Sequence, residues 1–414
     1  MKEKHLPQPM NKKFFTPIVT VIALLALNGL IFLAIRLIWG IGAVTNLDNQ
    51  HPWGIWIAID VAGGVALAAG GFTTAALGHI MHRENYHAIV RPALLTALLG
   101  YTFVALSVSV DLGRYYSIWH PLIMWNGSSA LFEVGICVMF YLTVLYIEFL
   151  PVICEKFIGN VNFKGFLSFL NRPLDGLLRV LYRALDKTMF IFIIAGVVLS
   201  CLHQSSLGTL MIISGPKMHP LWQTPILPLL FLLSAISVGF PMVIVESLTA
   251  SKTFGLKPEF DILKRLGTII APILGIYLAF KIGDMFVRET FVYLTEFNTA
   301  SVMFTIEIVL GILIPIRLFL SDETYKSPAL LFMASLMVIF GVVINRINNF
   351  LVAYNPPYAM NSYFPSFGEI AVTVGFVAIE ILLYRLISNY FPVISVPVKS
   401  ASIETGINLN VGEQ

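Results

Sequence analysis

The chain has 414 residues, 57% of them hydrophobic and 12% charged, with a mean hydropathy of +0.83. A soluble domain carries about 25% charged residues. Half that density excludes a disordered chain, a nucleic-acid binder and an ordinary soluble enzyme, and points to an integral membrane protein whose helices take up most of the sequence. The net charge of +3 is less informative than where the 26 Lys and Arg fall.

Lys2, Lys4, Lys12 and Lys13 precede an apolar run at 17–38. The run exceeds the ~7–15 residues of a signal-peptide core and no small-residue cleavage site follows, so an uncleaved first span is expected. Nine further runs reach the ~20 residues that cross a bilayer: 54–80, 89–112, 127–150, 187–210, 224–249, 263–285, 299–319, 328–349 and 367–391. The expected fold is an all-α polytopic membrane protein, with residues 1–414 as one integral membrane domain. The longest connection, 151–186, is basic and is expected on the membrane surface.

An even number of spans places both termini on one side. Twenty Lys and Arg fall on that side, and five on the other: Arg36, Arg114, Lys217, Arg288 and Arg346. The positive-inside rule then makes the termini cytoplasmic. All six tryptophans, Trp39, Trp53, Trp56, Trp119, Trp125 and Trp222, are expected at the outer face. They read either as interfacial anchors or as a surface for a flat aromatic ligand or docked partner.

Asp111-Leu112-Gly113-Arg114 ends one span, and Asp284 and Arg288 end another. Asn126-x-x-Ser129-x-x-Phe132-Glu133 opens the next span of the first pair; Asn298-x-x-Ser301-x-x-Phe304, followed by Glu307, opens that of the second. This spacing predicts two parallel four-helix bundles, spans 2–5 (54–210) and 6–9 (224–349), flanked by span 1 (17–38) and span 10 (367–391).

Ionisable groups inside a membrane are expensive. Asp60, about two turns into span 2, Asp111 and Arg114 at the end of span 3, Glu133 in span 4 and His203 in span 5 are expected to converge on one outer layer beside Trp53 and Trp56. The layer is either a ligand site or a structural ion-pair network. A b-type haem needs two facing imidazoles; only His203 lies well inside a span, with His79 near a span end and His51, His120 and His219 in loops. No haem is therefore expected. One imidazole mixed with arginine makes a metal site weak, and Cys137, Cys154 and Cys201 form no pair suited to an iron–sulfur cluster. A quinone fits better. Its carbonyl oxygens need donors, its reduction needs proton-exchanging side chains, and its tail needs an apolar slot. Arg114 is expected to hold Asp111 ionised, and Glu133 to relay protons or to hydrogen-bond a neighbouring helix. Gly63, Gly64, Gly70 and Gly71 leave either a slot for the tail or ordinary close packing. A second polar set comprises Lys281, Asp284, Glu307, Asn345, Arg346, Asn348 and Asn349, with Glu369 and Glu380 from span 10; it reads as a proton path or as a salt-bridged core.

Several segments resemble the NrfD/PsrC family of polysulfide reductase membrane subunits, and most of all the HybB-type membrane subunits of periplasmic uptake NiFe-hydrogenases. They are Pro52-Trp53-Gly54-Ile55-Trp56-Ile57-Ala58-Ile59-Asp60, Arg91-Pro92-Ala93-Leu94-Leu95, Ser109-Val110-Asp111-Leu112-Gly113-Arg114-Tyr115, Leu131-Phe132-Glu133, His203-Gln204-Ser205-Ser206-Leu207-Gly208 and His219-Pro220-Leu221-Trp222-Gln223. The likeness covers all but the outermost residues. It implies a haem-free, ten-span subunit of the bacterial inner membrane that meets menaquinone or ubiquinone near the periplasmic face. Its implied partners are a periplasmic four-cluster-type iron–sulfur protein and a catalytic subunit of hydrogenase, molybdopterin or multihaem cytochrome type. The rival readings are a secondary transporter with a midplane site and a passive membrane anchor.

Overall fold

The computed structural model describes residues 5–80, 87–360 and 362–397. Among them are ten helices long and apolar enough to cross a membrane: span 1, Pro17–Trp39; span 2, Trp56–Gly78; span 3, Ala88–Asp111; span 4, Ala130–Phe157; span 5, Ser168–Ile213; span 6, Leu227–Phe254; span 7, Phe260–Val287; span 8, Thr299–Phe319; span 9, Pro328–Val352; and span 10, Phe367–Tyr390. The protein is thus a polytopic all-α membrane protein. Of the charges and imidazoles weighed above, Lys2, Lys4, Arg83 and Lys399, and the side chain of His79, lie outside what the structure describes.

Local chemistry sets the helix ends. Thr16, Ser129, Asn298 and Ser327 each accept a hydrogen bond from a backbone N–H in the first turn of the helix that follows. Ser366 and Glu369 form a reciprocal capping box on span 10. Gly255, at φ 69°, ends span 6 in the left-handed conformation that favours glycine. Within the spans, Trp56–Gly63, Val309–Leu313 and Asn348–Val352 wind as π-helix. Asp60, Asn348 and Asn349 sit inside such stretches and Glu307 adjoins one. Widened turns of this kind recur at functional sites.

The basic connection differs from expectation. Span 4 runs on to Phe157, and Asn171–Ile213 is one 43-residue helix. At 1.5 Å per residue it extends roughly 64 Å, about twice the ~30 Å hydrocarbon core. Arg172, Arg179 and Arg183 therefore ride on a continuation of span 5, not on a separate surface segment. Pro173 falls in the first turn, where proline is tolerated, and no later proline interrupts the helix.

Span 4 lies along span 5, span 3 packs on spans 2 and 4, and span 6 packs on spans 2, 5, 7 and 9. Spans 1 and 10 pair with each other, and span 10 leans on span 3. Gly29 and Gly375 allow that pairing: a Cβ built on Gly29 would lie 2.5 Å from Gly375 Cα. Gly311 and Gly341 do the same for spans 8 and 9. Spans 2, 3 and 6 are the most enclosed, at 72%, 67% and 61% buried, so the centre of the protein lies where these three meet. At the basic end, strand β1 (His5–Gln8) pairs antiparallel with β2 (Ile394–Pro397), with Leu6 opposite Val396. Arg91 beside it grips Glu155 with two hydrogen bonds, 2.7 and 2.8 Å, and donates to the Pro392 carbonyl.

Candidate functional site

The end of span 3 leaves helix carbonyls without intrahelical partners. Buried Arg36, from span 1, satisfies them: its Nε donates to the Val110 carbonyl at 2.6 Å and its Nη2 to that of Leu112 at 2.5 Å. A cation is also favoured there by the helix dipole. Asp111 sits in the field of Arg36 and of Glu369, and its Oδ1 is buried without a hydrogen-bond partner. Glu369 is fully buried near the start of span 10. It accepts from the backbone N–H of Asn46 (3.0 Å) and Ser366 (2.8 Å) and from the Tyr363 hydroxyl (2.5 Å). Burial, reinforced by that bond to Glu369, pushes the Tyr363 phenol up. The buried Trp56 indole donates to the Glu369 carbonyl at 3.1 Å, and Thr373 donates to Asp60 Oδ2 at 2.8 Å.

A layer of polar groups therefore forms between spans 1, 2, 3 and 10, at the ends opposite the basic face. Asp60 and Asp111 belong to it, but Arg114 and Glu133 do not. Arg114 is exposed in the loop after span 3, and its side chain has no hydrogen bond or ion pair with a described residue; the cation beside Asp111 is Arg36. Glu133 is exposed one turn into span 4, because Ser129 starts that helix and turns position 133 outward. Glu369 and Glu380, grouped above with the second polar set, lie instead against other spans: Glu369 against span 2, and Glu380 against spans 2, 3 and 6. The tryptophans divide by burial. Trp39, Trp119 and Trp125 are exposed, Trp53 packs on Phe350 and Tyr354, and Trp56 and Trp222 are buried hydrogen-bond donors.

His203 lies deeper than expected, because the helix carrying it continues to Ile213. Ten residues separate His203 from that end, about 15 Å at 1.5 Å per residue. It is fully buried, and neither ring nitrogen has a partner among the described residues. Its ring lies 5.6 Å from that of Tyr101, whose hydroxyl is also buried and unpartnered. Tyr141 meets Tyr101 edge-on at 4.3 Å, and Ser200, with an unpartnered hydroxyl, adjoins both tyrosines. An unsatisfied buried polar group is costly, so three in one spot call for a physical reason.

The second polar set is densely paired, although Arg346 Nε, Asn348 Oδ1 and Asn349 Oδ1 are buried without a partner among the described residues. Glu307 binds Lys281 and accepts from Asn345 (2.8 Å), Asn348 (2.8 Å) and the Trp222 indole (3.0 Å). Arg346 donates to Asn345 Oδ1 and Ser234 Oγ and stacks on Phe231 at 3.8 Å. Asp284 pairs with Arg288, accepts from Thr224 and lines with Lys281 a cavity of about 10 Å³, close to the size of one water. Among the described residues, no three His, Cys, Asp or Glu side chains are placed to hold a metal ion.

Residues 43–355 match the family model described as "Polysulphide reductase, NrfD". The chain belongs to the NrfD family. The matched segment takes in spans 2 to 9 of this NrfD protein. The chain is 34% identical to the "Probable Ni/Fe-hydrogenase 2 b-type cytochrome subunit" of Escherichia coli K12, over 94% of this chain and 95% of the relative. It is 26% identical to the "Menaquinone reductase, integral membrane subunit" of Nitratidesulfovibrio vulgaris Hildenborough, over 86% of each. It is also 26% identical to a selenate reductase subunit of Mesobacillus selenatarsenatis, over 93% of this chain and 95% of the relative. These relatives are subunits of hydrogenase and reductase enzymes, as the expected resemblance implied.

Proposed function

We propose that this chain is the quinone-interacting membrane subunit of a respiratory oxidoreductase complex. It exchanges two electrons and two protons between a quinone pool and a periplasmic iron–sulfur partner of four-cluster type. The observation that carries the reading is His203, a buried imidazole with neither ring nitrogen bonded to a described residue, beside the buried Tyr101 hydroxyl. A quinone headgroup presents carbonyl oxygens that need such donors, and His and Tyr can both pass on protons. Asp111 beside Arg36, and Asp60 hydrogen-bonded by Thr373, add exchangeable and charged groups from neighbouring spans. Menaquinone is the quinone named for one relative. The two donors are enclosed, so access for the headgroup requires the helices around them to part.

The organisation follows the same reading. Residues 1–414 act as one membrane domain of two parallel bundles, spans 2–5 and 6–9, flanked by spans 1 and 10. Both termini face the cytoplasm of a bacterial inner membrane. The same reading has no haem in the chain, since among the described residues His203 is the one imidazole buried within a span. A secondary transporter is disfavoured because Lys281 and Glu307, the charges of the second set best suited to bind a substrate, are already paired with each other and with Asn345 and Asn348.

The test uses the complex purified through a tag on this chain together with its native neighbours, with menadione as the quinone. His203→Ala and Tyr101→Phe are expected to reduce menadione turnover at least tenfold while the complex assembles normally. Wild-type turnover in both variants refutes the assignment.

A further inference from the structure

Span 10 carries Glu369, Thr373, Glu380 and Tyr384. At 100° per residue their spacings of four, seven and four keep all four within an arc of about 60°. A polar stripe running along a helix through lipid is costly to keep, and it lies beyond the segment 43–355 that matches the family model.

Other helices complete the stripe. Asp60 of span 2 takes the Thr373 hydrogen bond at 2.8 Å. Glu380 lies within electrostatic reach of Asp60 on one side and of Glu246, in span 6, on the other. Gly100 of span 3 makes room for it: a Cβ there would lie 3.6 Å from Glu380 Oε1. Tyr384 donates to Glu246 Oε1 at 2.9 Å, while Glu246 Oε2 is buried and unpartnered. Glu246 and Tyr384 then line a cavity of about 50 Å³, walled on the basic side by Ser251, Lys257 and Ser395. That volume accommodates a few waters.

The series differs from the Lys281–Glu307 cluster in one decisive respect. No ion pair joins Asp60, Glu380 or Glu246 to a described cation. A structural pillar of carboxylates needs cations to compensate it. Carboxyl groups in series without cations can each accept a proton on one oxygen and release one from the other.

We propose that Glu246, Glu380 and Asp60, strung along the polar face of span 10, form a proton path from the cavity on the basic face to the outer half of spans 2 and 3. The proposal rests on the quinone reading above. Reduction of a quinone to quinol takes two electrons, supplied by the redox partner, and two protons, supplied along this path. Each carboxyl gives up one proton and gains another, so the chain itself is left unchanged. Thr373 to Glu380 is about 10 Å along the helix and Glu380 to Tyr384 about 6 Å, distances that water and side-chain rotation bridge.

The experiment places the purified complex in proteoliposomes with menadione as the quinone and a pH dye on the side of the basic face. Glu380→Gln and Glu246→Gln are expected to leave KM for menadione within twofold, lower kcat at least tenfold, and abolish proton uptake from the basic face. Because the two residues lie in different spans, either variant decides the matter if the other does not assemble. Wild-type kcat with undiminished uptake from the basic face in an assembled variant overturns the path and leaves the quinone reading standing. Absence of menadione turnover in the wild-type complex overturns the quinone reading and the path with it.

Discussion

Glu307 gathers four donors, Lys281, Asn345, Asn348 and Trp222, in a site where the carboxyl is 1% and the lysine 6% exposed. Removing one member of a buried ion pair costs about 3–5 kcal/mol, because the other charge is left uncompensated, whereas replacing both is often close to neutral. Lys281→Met keeps the volume of the side chain but strands the carboxylate. Glu307→Gln strands the ammonium and turns an amide –NH₂ toward donors that had faced an oxygen. Each single variant is therefore expected to lose about 3–5 kcal/mol. In the double variant the charges vanish together, and the remaining amide mismatch costs about 1–3 kcal/mol. The double variant should thus be more stable than either single one. Unfolding by SDS titration in mixed micelles measures this directly, as a double-mutant cycle. A double variant that loses the sum of the two single losses would refute the reading of Lys281 and Glu307 as one compensated pair.

Arg36→Gln should loosen the outer end of span 3, since it removes two hydrogen bonds to carbonyls and the cation beside Asp111; faster amide exchange at residues 113–117, with the midpoint of unfolding lowered, is the expected result. Gly375→Val forces a side chain against the backbone of Gly29 and is expected to cost about 1–3 kcal/mol and to lower the yield of a disulfide engineered between spans 1 and 10. A reduced-minus-oxidised spectrum of the purified chain should show no b-type bands; bands in stoichiometric amount would overturn the argument from His203. Burial, opposed in part by Glu296, lowers the pKa of His219, whose Nδ1 accepts from the Leu221 N–H. A depressed base contributes stability that is present above its unfolded pKa near 6.5 and is lost as the pH falls. The protection factor of the Leu221 amide should accordingly fall below about pH 6, and a pH-independent protection factor would contradict this.

Ten apolar runs and the basic bias were legible in the sequence, because bilayer thickness imposes one length. Asp60, Asp111 and His203 stood out for the same reason: an ionisable side chain in an apolar run announces itself wherever its helix packs. Glu369 and Glu380 of span 10 stood out as well, but the sequence grouped them with the Lys281–Glu307 set, whereas Glu369 lies against span 2 and Glu380 against spans 2, 3 and 6. Which cation stands beside Asp111 depends on span 1 crossing the end of span 3, which brings together residues 36 and 111. Arg114, three residues from Asp111, was the natural choice along the chain and turned out to point away. Glu133 and Glu307 occupy similar sequence settings, yet one is exposed and the other is 1% exposed in a four-donor network. A helix's own sequence determines where its polar groups lie along its length. Which neighbour faces each of them is decided by packing between helices, and in lipid that packing turns on small-residue contacts such as Gly29 with Gly375, which hydropathy does not register.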